Sequence, residues 1–339
     1  MAGQVFHAPV IASVKGLKLK AIQTTNASNI EIARKRYPAA RIVSQTSALF
    51  SSEDIDLIIV ATPNHTHFEL AKAALEADKH VIVEKPLTVT SAEGFELVKM
   101  AEIRDKVLTV HHNRRWDSDF LTVRKVVEKK ALGRLVEAEI HYDRFRPLLR
   151  GNTWKEDTLP GTGVLYDLGS HLIDQAQTLF GLPEAVTGFI STERSGGKIP
   201  DNFEVILHYK NLKVTLKSGM LVREKLPHYI LLGESGTFIK YGMDVQEEAL
   251  KNGAIPAQTV DWGVEPKLLW GTINTEINGL HFVGKIESEK GDYRKFYENV
   301  RDAILLKTQI EVTGTQAANT IKIIELSMQS QNERRTIDF

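Results

Sequence analysis

The sequence predicts an α/β domain with a parallel sheet, followed by an α+β domain with a large, mostly antiparallel open sheet. Up to about residue 115, short apolar segments alternate with segments of helical periodicity, which is the pattern of a parallel sheet wound by helices. Beyond Trp116, strand-like segments follow one another with few helices between them. A chain of 339 residues fits two domains, which we place at 1–117 and 118–339.

Apolar runs predict the strands, and a period of about 3.6 residues predicts the helices. In the first domain the predicted strands span 17–24, 41–43, 57–61, 81–83 and 107–111, and the helices span 28–37, 66–78 and 91–103. In the second domain the predicted strands span 135–145, 185–193, 203–209, 213–218, 229–233 and 237–241, and the helices span 120–130, 292–306 and 315–328. The two closing helices are candidates to pack back on the first domain. Residues 242–290 carry no pattern that assigns them.

Polar clusters follow three of the predicted parallel strands. They are residues 62–67 (TPNHTH), 84–86 (EKP) and 112–115 (HNRR). Because the carboxyl ends of parallel strands lie at one edge of a sheet, where ligands bind, we expect the three clusters to meet. Pro86 restricts the backbone of Lys85 and so aims its side chain toward a ligand. The alternative is a surface Glu–Lys pair that opens a loop.

A second informative segment surrounds His171. If residues from about 167 are helical, then Asp167, His171 and Asp174 stand at i, i+4 and i+7 on one face. Two flanking carboxylates predict a raised pKa and a fixed tautomer for the imidazole, which suits proton transfer near neutral pH. The alternative is a helix N-terminus with Asp167 as its cap and His171 as a surface side chain.

Composition excludes several classes of function. The 43 basic and 43 acidic residues balance, so no overall field attracts nucleic acid or an anionic membrane. Cysteine is absent, which excludes disulfides, thiolate metal sites and a cysteine nucleophile. Histidines 65, 67, 111, 112 and 171 have no Asp or Glu at a spacing that completes a ligand set, so we expect no metal. Without a bilayer-spanning run or a signal peptide, we expect a soluble cytoplasmic protein.

The three motifs together resemble the Gfo/Idh/MocA family of NAD(P)-dependent oxidoreductases. The motifs are EKP at 84–86, ATPNHTH at 61–67 and DLGSHLID at 167–174. Residues 112–121 and 143–147 are most similar to the branch that contains NADP-dependent scyllo-inositol 2-dehydrogenase. The resemblance implies a Rossmann-type first domain and an enzyme that transfers a hydride between the nicotinamide and a CH–OH group of a cyclic polyol or sugar, with an inositol as the first candidate. The alternatives are a reductase for another sugar and a non-catalytic nucleotide-binding regulator.

The resemblance also implies roles for individual residues, carried over by position. The catalytic residues would be Lys85, His171 and Asp167. The cofactor-binding residues would be Gly3, Phe6, Thr24, Thr62, Pro63, Asn64, His67, Glu84, Lys85 and Asn113. The substrate-binding residues would be Asp174, Trp154 and Tyr166, although both aromatic side chains could equally be core packing. The bond before Pro86 is expected to be cis, and the open face of the second sheet is expected to form a homodimer or homotetramer.

The chain departs from the family at its beginning. Gly3 matches the third glycine of the dinucleotide motif, whereas the first strand and the first two glycines are missing. That strand would lie between the predicted strands at 17–24 and 57–61, which would otherwise stay roughly 10 Å apart. We therefore expect the start codon to be placed too late, and a chain about a dozen residues longer to bind NADP(H) better.

The end of the strand at 17–24 also bears on the choice of cofactor. NAD enzymes place Asp or Glu there to hold the ribose hydroxyls, whereas residues 23–26 (QTTN) are neutral. A neutral strand end accepts a 2′-phosphate, so NADP is favoured over NAD.

Overall fold

The computed structural model describes residues 2–149, 151, 156 and 158–339, so that Trp154 lies outside the described residues. The first domain has five parallel strands: β1 (Ala21–Gln23), β2 (Arg41–Val43), β3 (Leu57–Val60), β4 (His80–Val83) and β5 (Leu108–Val110). Its helices are α1 (Ala8–Ile11), α2 (Ala27–Arg36), α3 (Ser47–Phe50), α4 (His67–Glu76) and α5 (Ser91–Ile103), with a π-helical turn at Gly3–His7 and a 3₁₀ turn at Asn64–Thr66.

The parallel strands form two sheets rather than one. Strand β1 pairs with β2, and β3, β4 and β5 pair in that order. Among the described residues no strand connects β1 to β3, where the resemblance to the family predicts a further strand. Apolar packing joins the two parts instead, because Ala21 of β1 packs against the core that contains Val10 and Ile11 of α1 and Ile58 and Val60 of β3.

The second domain is built on a nine-stranded sheet of order β13-β12-β11-β10-β6-β9-β8-β7-β14. Among the described strands of this sheet, only β6 and β9 pair in parallel. The strands are β6 (Leu135–His141), β7 (Ala185–Ser191), β8 (Asn202–Tyr209), β9 (Leu212–Gly219), β10 (Tyr229–Gly233), β11 (Gly236–Lys240), β12 (Gly271–Ile277), β13 (Leu280–Ile286) and β14 (Ile337–Asp338). The predicted fold class is confirmed. The unassigned residues 242–290 supply the edge strand β13, its neighbour β12 and one α-helix.

Helices of the second domain pack against this sheet and reach back to the first domain. They are α6 (Ser118–Glu128), α7 (Ser170–Phe180), α8 (Gln246–Lys251), α9 (Arg294–Leu306) and α10 (Gly314–Glu333), with a π-helical turn at Leu165–Gly169 before α7 and 3₁₀ turns at Asn113–Trp116, Pro256–Gln258 and Lys267–Leu269. Glu325 of α10 accepts hydrogen bonds from the backbone N–H of Ser91 at 2.9 Å and from its hydroxyl at 2.5 Å. Within the described residues, no helix has both the length and the apolar character needed to cross a bilayer.

Candidate active site

The carboxyl ends of β3, β4 and β5 open into a cavity of about 550 Å³ between the two domains. Residues from all three predicted clusters line it: Thr62, Pro63 and Asn64 after β3, Glu84 and Lys85 after β4, and Asn113 and Arg114 after β5. The predicted convergence of the clusters is therefore confirmed. The second domain forms the opposite wall with residues that include Tyr142, Arg144, Asp167, His171, Arg194 and Asp201.

Lys85 bridges the two walls of this cavity. Its Nζ donates to the backbone carbonyl of Asp167 at 2.6 Å and to the Oδ1 of the same residue at 3.0 Å. The bond between Lys85 and Pro86 is cis, as predicted. Asp167 thus pairs with the lysine, whereas the helical spacing predicts this carboxylate beside the imidazole of His171. The pair lies in the cleft with the ammonium largely shielded from solvent.

His171 lines the same cavity and is buried, with a Nδ1 atom that has no hydrogen-bond partner among the described residues. Its pKa lies well below the ordinary value, first because burial disfavours the charged form and then because Lys85 and Arg114 are cations nearby. Asp167 opposes this shift only weakly. The predicted rise in the pKa of His171 is therefore wrong. The neutral imidazole dominates at neutral pH, and this is the form that accepts a proton.

Asp174 does not line the cavity. Its carboxylate accepts from Arg115 Nε at 2.9 Å and from Arg115 Nη2 at 2.6 Å, in a buried pair that joins α7 to the segment after β5. Burial raises the pKa of Asp174, but Arg115 and His112 outweigh burial and hold it below the ordinary value. Tyr166 also lies outside the lining and donates its hydroxyl to the carbonyl of Val89 at 3.0 Å. Both side chains connect the domains at the edge of the site, and their substrate contacts stay predictions.

Glu84 lies between two histidines that are distant in the sequence. Its Oε1 is 2.8 Å from His7 Nε2 and 3.1 Å from His111 Nδ1. Burial raises the pKa of Glu84, but the hydrogen bonds with His111 and His7 outweigh it and hold the pKa well below the ordinary value. No spacing in the sequence indicated this group of three side chains, which could surround a cation, and the expectation that no metal is bound stays a prediction. Their distances are those of hydrogen bonds between imidazoles and a carboxylate.

The remaining predicted cofactor residues differ in position. Phe6 lines the cavity, and Gly3 is exposed at the start of the first helical turn, where an added Cβ would meet nothing within 4 Å. His67 is buried, with its ring nitrogens 2.8 Å from the carbonyl of Pro86 and 2.9 Å from that of Thr62, so it fixes the two strand-end loops against each other. Thr24 follows β1 and is not among the lining residues.

Several lining residues were not singled out from the sequence. Arg114 Nη1 donates to Asp117 at 2.9 Å, and its Nη2 donates to the Tyr142 hydroxyl at 2.7 Å and to Glu247. Arg114 belongs to the polar cluster at 112–115, so its position after a predicted strand already indicated that it could line the site. Glu247 comes from the segment that the sequence could not assign, so no signal pointed to it.

Comparison with known proteins identifies the family. The description "Oxidoreductase family, NAD-binding Rossmann fold" matches residues 1–112, and "Oxidoreductase family, C-terminal alpha/beta domain" matches residues 124–339. The chain belongs to the Gfo/Idh/MocA oxidoreductase family. The predictions of the family and of a dehydrogenase are thereby confirmed.

Relatives and solved structures extend the likeness over the whole chain. The chain is 41% identical to the oxidoreductase YdgJ of Escherichia coli over 99% of this chain and 95% of the relative. It is 36% identical to the scyllo-inositol 2-dehydrogenase (NADP(+)) IolW of Bacillus subtilis, over 99% and 93%. The solved structure of yvaA from Bacillus subtilis matches with a TM-score of 0.95 at 35% identity, covering 100% of this chain and 95% of that one.

The pKa of the buried His112 predicts how the stability of the protein depends on pH. Burial lowers this pKa to about 4, against an opposing effect of Asp174. When the pH is below about 6.5, the ordinary pKa of histidine, His112 is protonated in the unfolded chain but stays neutral in the folded chain. The free energy of unfolding therefore falls as the pH drops from about 6.5 to about 4. We expect wild type to lose about 2 kcal/mol of unfolding free energy from this group between about pH 7.5 and pH 5.

The measurement is urea unfolding of wild type and His112→Gln at the two pH values. The variant should lose less stability on acidification by that amount. His281→Gln, at an exposed histidine on β13, is the control and should keep the wild-type pH dependence. An equal loss in wild type and His112→Gln would contradict the assignment.

Proposed function

We propose that this chain is an NADP(H)-dependent dehydrogenase acting on a secondary alcohol or ketone of a cyclic polyol or sugar, with an inositol as the first candidate. The observation that carries the proposal is the presence of the Lys85 ammonium and the His171 imidazole in one cavity at the sheet's carboxyl edge. The similarity to a relative named as a scyllo-inositol 2-dehydrogenase supports the substrate class.

The residues present fit the nicotinamide half of a dinucleotide. Thr62, Pro63, Asn64, Glu84 and Asn113 line the wall formed by the strand ends. His171, whose buried Nδ1 has no hydrogen-bond partner among the described residues, lines the same cavity. When bound, the nicotinamide accepts or delivers the hydride. These side chains would hold and orient it, and they would leave the second-domain wall to the substrate.

Lys85 and His171 divide the proton chemistry of the alcohol oxygen. The ammonium of Lys85 stabilises the negative charge that develops on that oxygen, and Asp167 keeps the ammonium in place through two hydrogen bonds. The neutral imidazole of His171 accepts the hydroxyl proton. Because the charge of Lys85 lowers the pKa of His171, an alkoxide beside Lys85 would offset that effect and favour protonation of the imidazole.

The first test removes the ammonium group of Lys85 while keeping a side chain of similar length. Lys85→Met should lower kcat by about 100- to 1,000-fold, because the charge on the substrate oxygen loses its stabilising partner. His171→Asn should lower kcat by about 100-fold or more, because the group that accepts the hydroxyl proton is missing. Turnover is followed as NADPH formation with scyllo-inositol.

Lys72→Met is the control, since Lys72 pairs with Glu96 on the surface away from the cavity. Unchanged turnover in Lys85→Met would refute the catalytic assignment. Nucleotide binding by wild type with no turnover of any polyol or sugar would favour the regulatory alternative.

The second test concerns NADP against NAD. Thr24 follows β1, where a carboxylate would repel the 2′-phosphate of NADP and accept the ribose hydroxyls of NAD. Thr24→Asp should lower the ratio of kcat/KM for NADP to that for NAD by about 10- to 100-fold. Thr315→Asp adds the same charge at the exposed start of α10 and should leave the ratio unchanged. A ratio that stays constant in Thr24→Asp would remove β1 from the cofactor site.

We also propose that the second sheet associates with another copy of the chain. Ile277, Leu280, Phe282 and Val283 of the β12–β13 hairpin are apolar and exposed at one end of this sheet. Light scattering should report a dimer or tetramer for wild type and a smaller species for Phe282→Lys. A wild-type monomer, or a variant that assembles as wild type does, would contradict this proposal.

A further inference from the structure

One arginine on the cavity wall lacks an acidic partner among the residues that the structure describes. Lysine and arginine side chains in the lining are Lys85, Arg114, Arg144, Arg146, Arg194 and Lys251. Lys85 pairs with Asp167, Arg114 with Asp117 and Glu247, Arg194 with Asp201 and Glu156, and Lys251 with Glu247. Arg146 also has a partner. Within the part of the chain that the structure describes, Arg144 makes no ion pair.

Arg144 is nevertheless held in place. It follows β6, and its backbone N–H donates to the carbonyl of Gly219 at 2.9 Å while its carbonyl accepts from the N–H of Val222 at 3.1 Å. Its guanidinium lies 4.9 Å from the centre of the Tyr142 ring, and the side chain is half-buried. The cation is thus positioned by the backbone on both sides and by stacking, and no described carboxylate neutralises it.

The position of Arg144 assigns it to the substrate rather than to the cofactor. Arg144 follows β6 and lies on the wall formed by the second domain, whereas Thr62, Pro63, Asn64, Glu84 and Asn113 form the strand-end wall that would hold the nicotinamide. The strand end that bears on the 2′-phosphate, at Thr24, is outside the lining. An anion that reaches Arg144 therefore belongs to the molecule that occupies the second-domain side of the cavity.

We propose that the natural substrate is an acidic cyclic polyol or sugar whose carboxylate or phosphate is bound by Arg144. This inference rests on the proposed dehydrogenase function and names its substrate class. A planar guanidinium presents paired N–H donors that match two oxygens of a carboxylate or phosphate. A neutral substrate leaves this half-buried cation without a counter-charge, which is energetically unfavourable. An acidic substrate supplies the missing negative charge.

The experiment compares matched neutral and acidic compounds in NADP-dependent turnover. The pairs are glucose with glucuronate, glucose with glucose 6-phosphate, and myo-inositol with myo-inositol 1-phosphate. At least one acidic member should exceed its neutral counterpart in kcat/KM by about 10- to 100-fold, mainly through KM. The glucuronate and phosphate arms distinguish the two sources of the negative charge.

Arg144→Gln should remove most of that preference, losing far more kcat/KM for the acidic compound than for the neutral one. Arg223→Gln is the matched control, because this guanidinium stacks 4.4 Å from the Phe145 ring but does not line the cavity. A preference for neutral compounds in wild type, or equal losses for both in Arg144→Gln, would overturn the inference while leaving the dehydrogenase intact.

If no compound is turned over, the proposed function fails separately and binding decides the role of Arg144. Calorimetric titration with glucuronate and with glucose 6-phosphate should then show binding to wild type that weakens at least tenfold in Arg144→Gln. Absent binding, or equal binding by both proteins, would overturn the inference.

Discussion

The site depends on the hydrogen bonds that carry Lys85 across the gap between the domains. Its ammonium leaves the end of β4 in the first domain and is held by both the backbone carbonyl and the carboxylate of Asp167 in the second. A lysine side chain loses considerable rotamer freedom when it is fixed, and two acceptors on one residue offset that cost. Because the acceptors lie in the π-helical turn before α7, the position of Lys85 also fixes the helix that carries His171.

A second tie across the same boundary is the buried pair of Arg115 and Asp174. Both side chains are almost fully withdrawn from solvent, and the carboxylate receives two parallel N–H donors. Removal of one partner from such a pair leaves an uncompensated buried charge, which costs about 3–5 kcal/mol. The pair therefore keeps the segment after β5 against α7, and it explains why Asp174 is turned away from the cavity although it stands three residues beyond His171.

The fold and the meeting of the three polar clusters could be predicted because each depends on local pattern. Apolar runs locate buried strands, and parallel strands place their carboxyl ends at one edge. The partners of individual charges could not be predicted, because they depend on side chains brought together by tertiary packing. Glu84 is hydrogen-bonded to His7 and His111, and the carboxylate of Asp167 accepts from Lys85 instead of lying beside His171. Spacing along a helix predicts which face of the helix a residue occupies, but it does not predict which residues of other elements pack against that face.

His171 shows how this difference changes the chemistry. An imidazole stabilised as a cation by two carboxylates would be mostly protonated near neutral pH and would be a poor acceptor for a hydroxyl proton. In the structure one carboxylate is bound to Lys85 and the other to Arg115, so burial and the nearby cations determine the pKa instead. The imidazole is then neutral before the reaction. In the proposed reaction its pKa would rise when negative charge develops beside Lys85, so the step that releases the proton would also favour its capture.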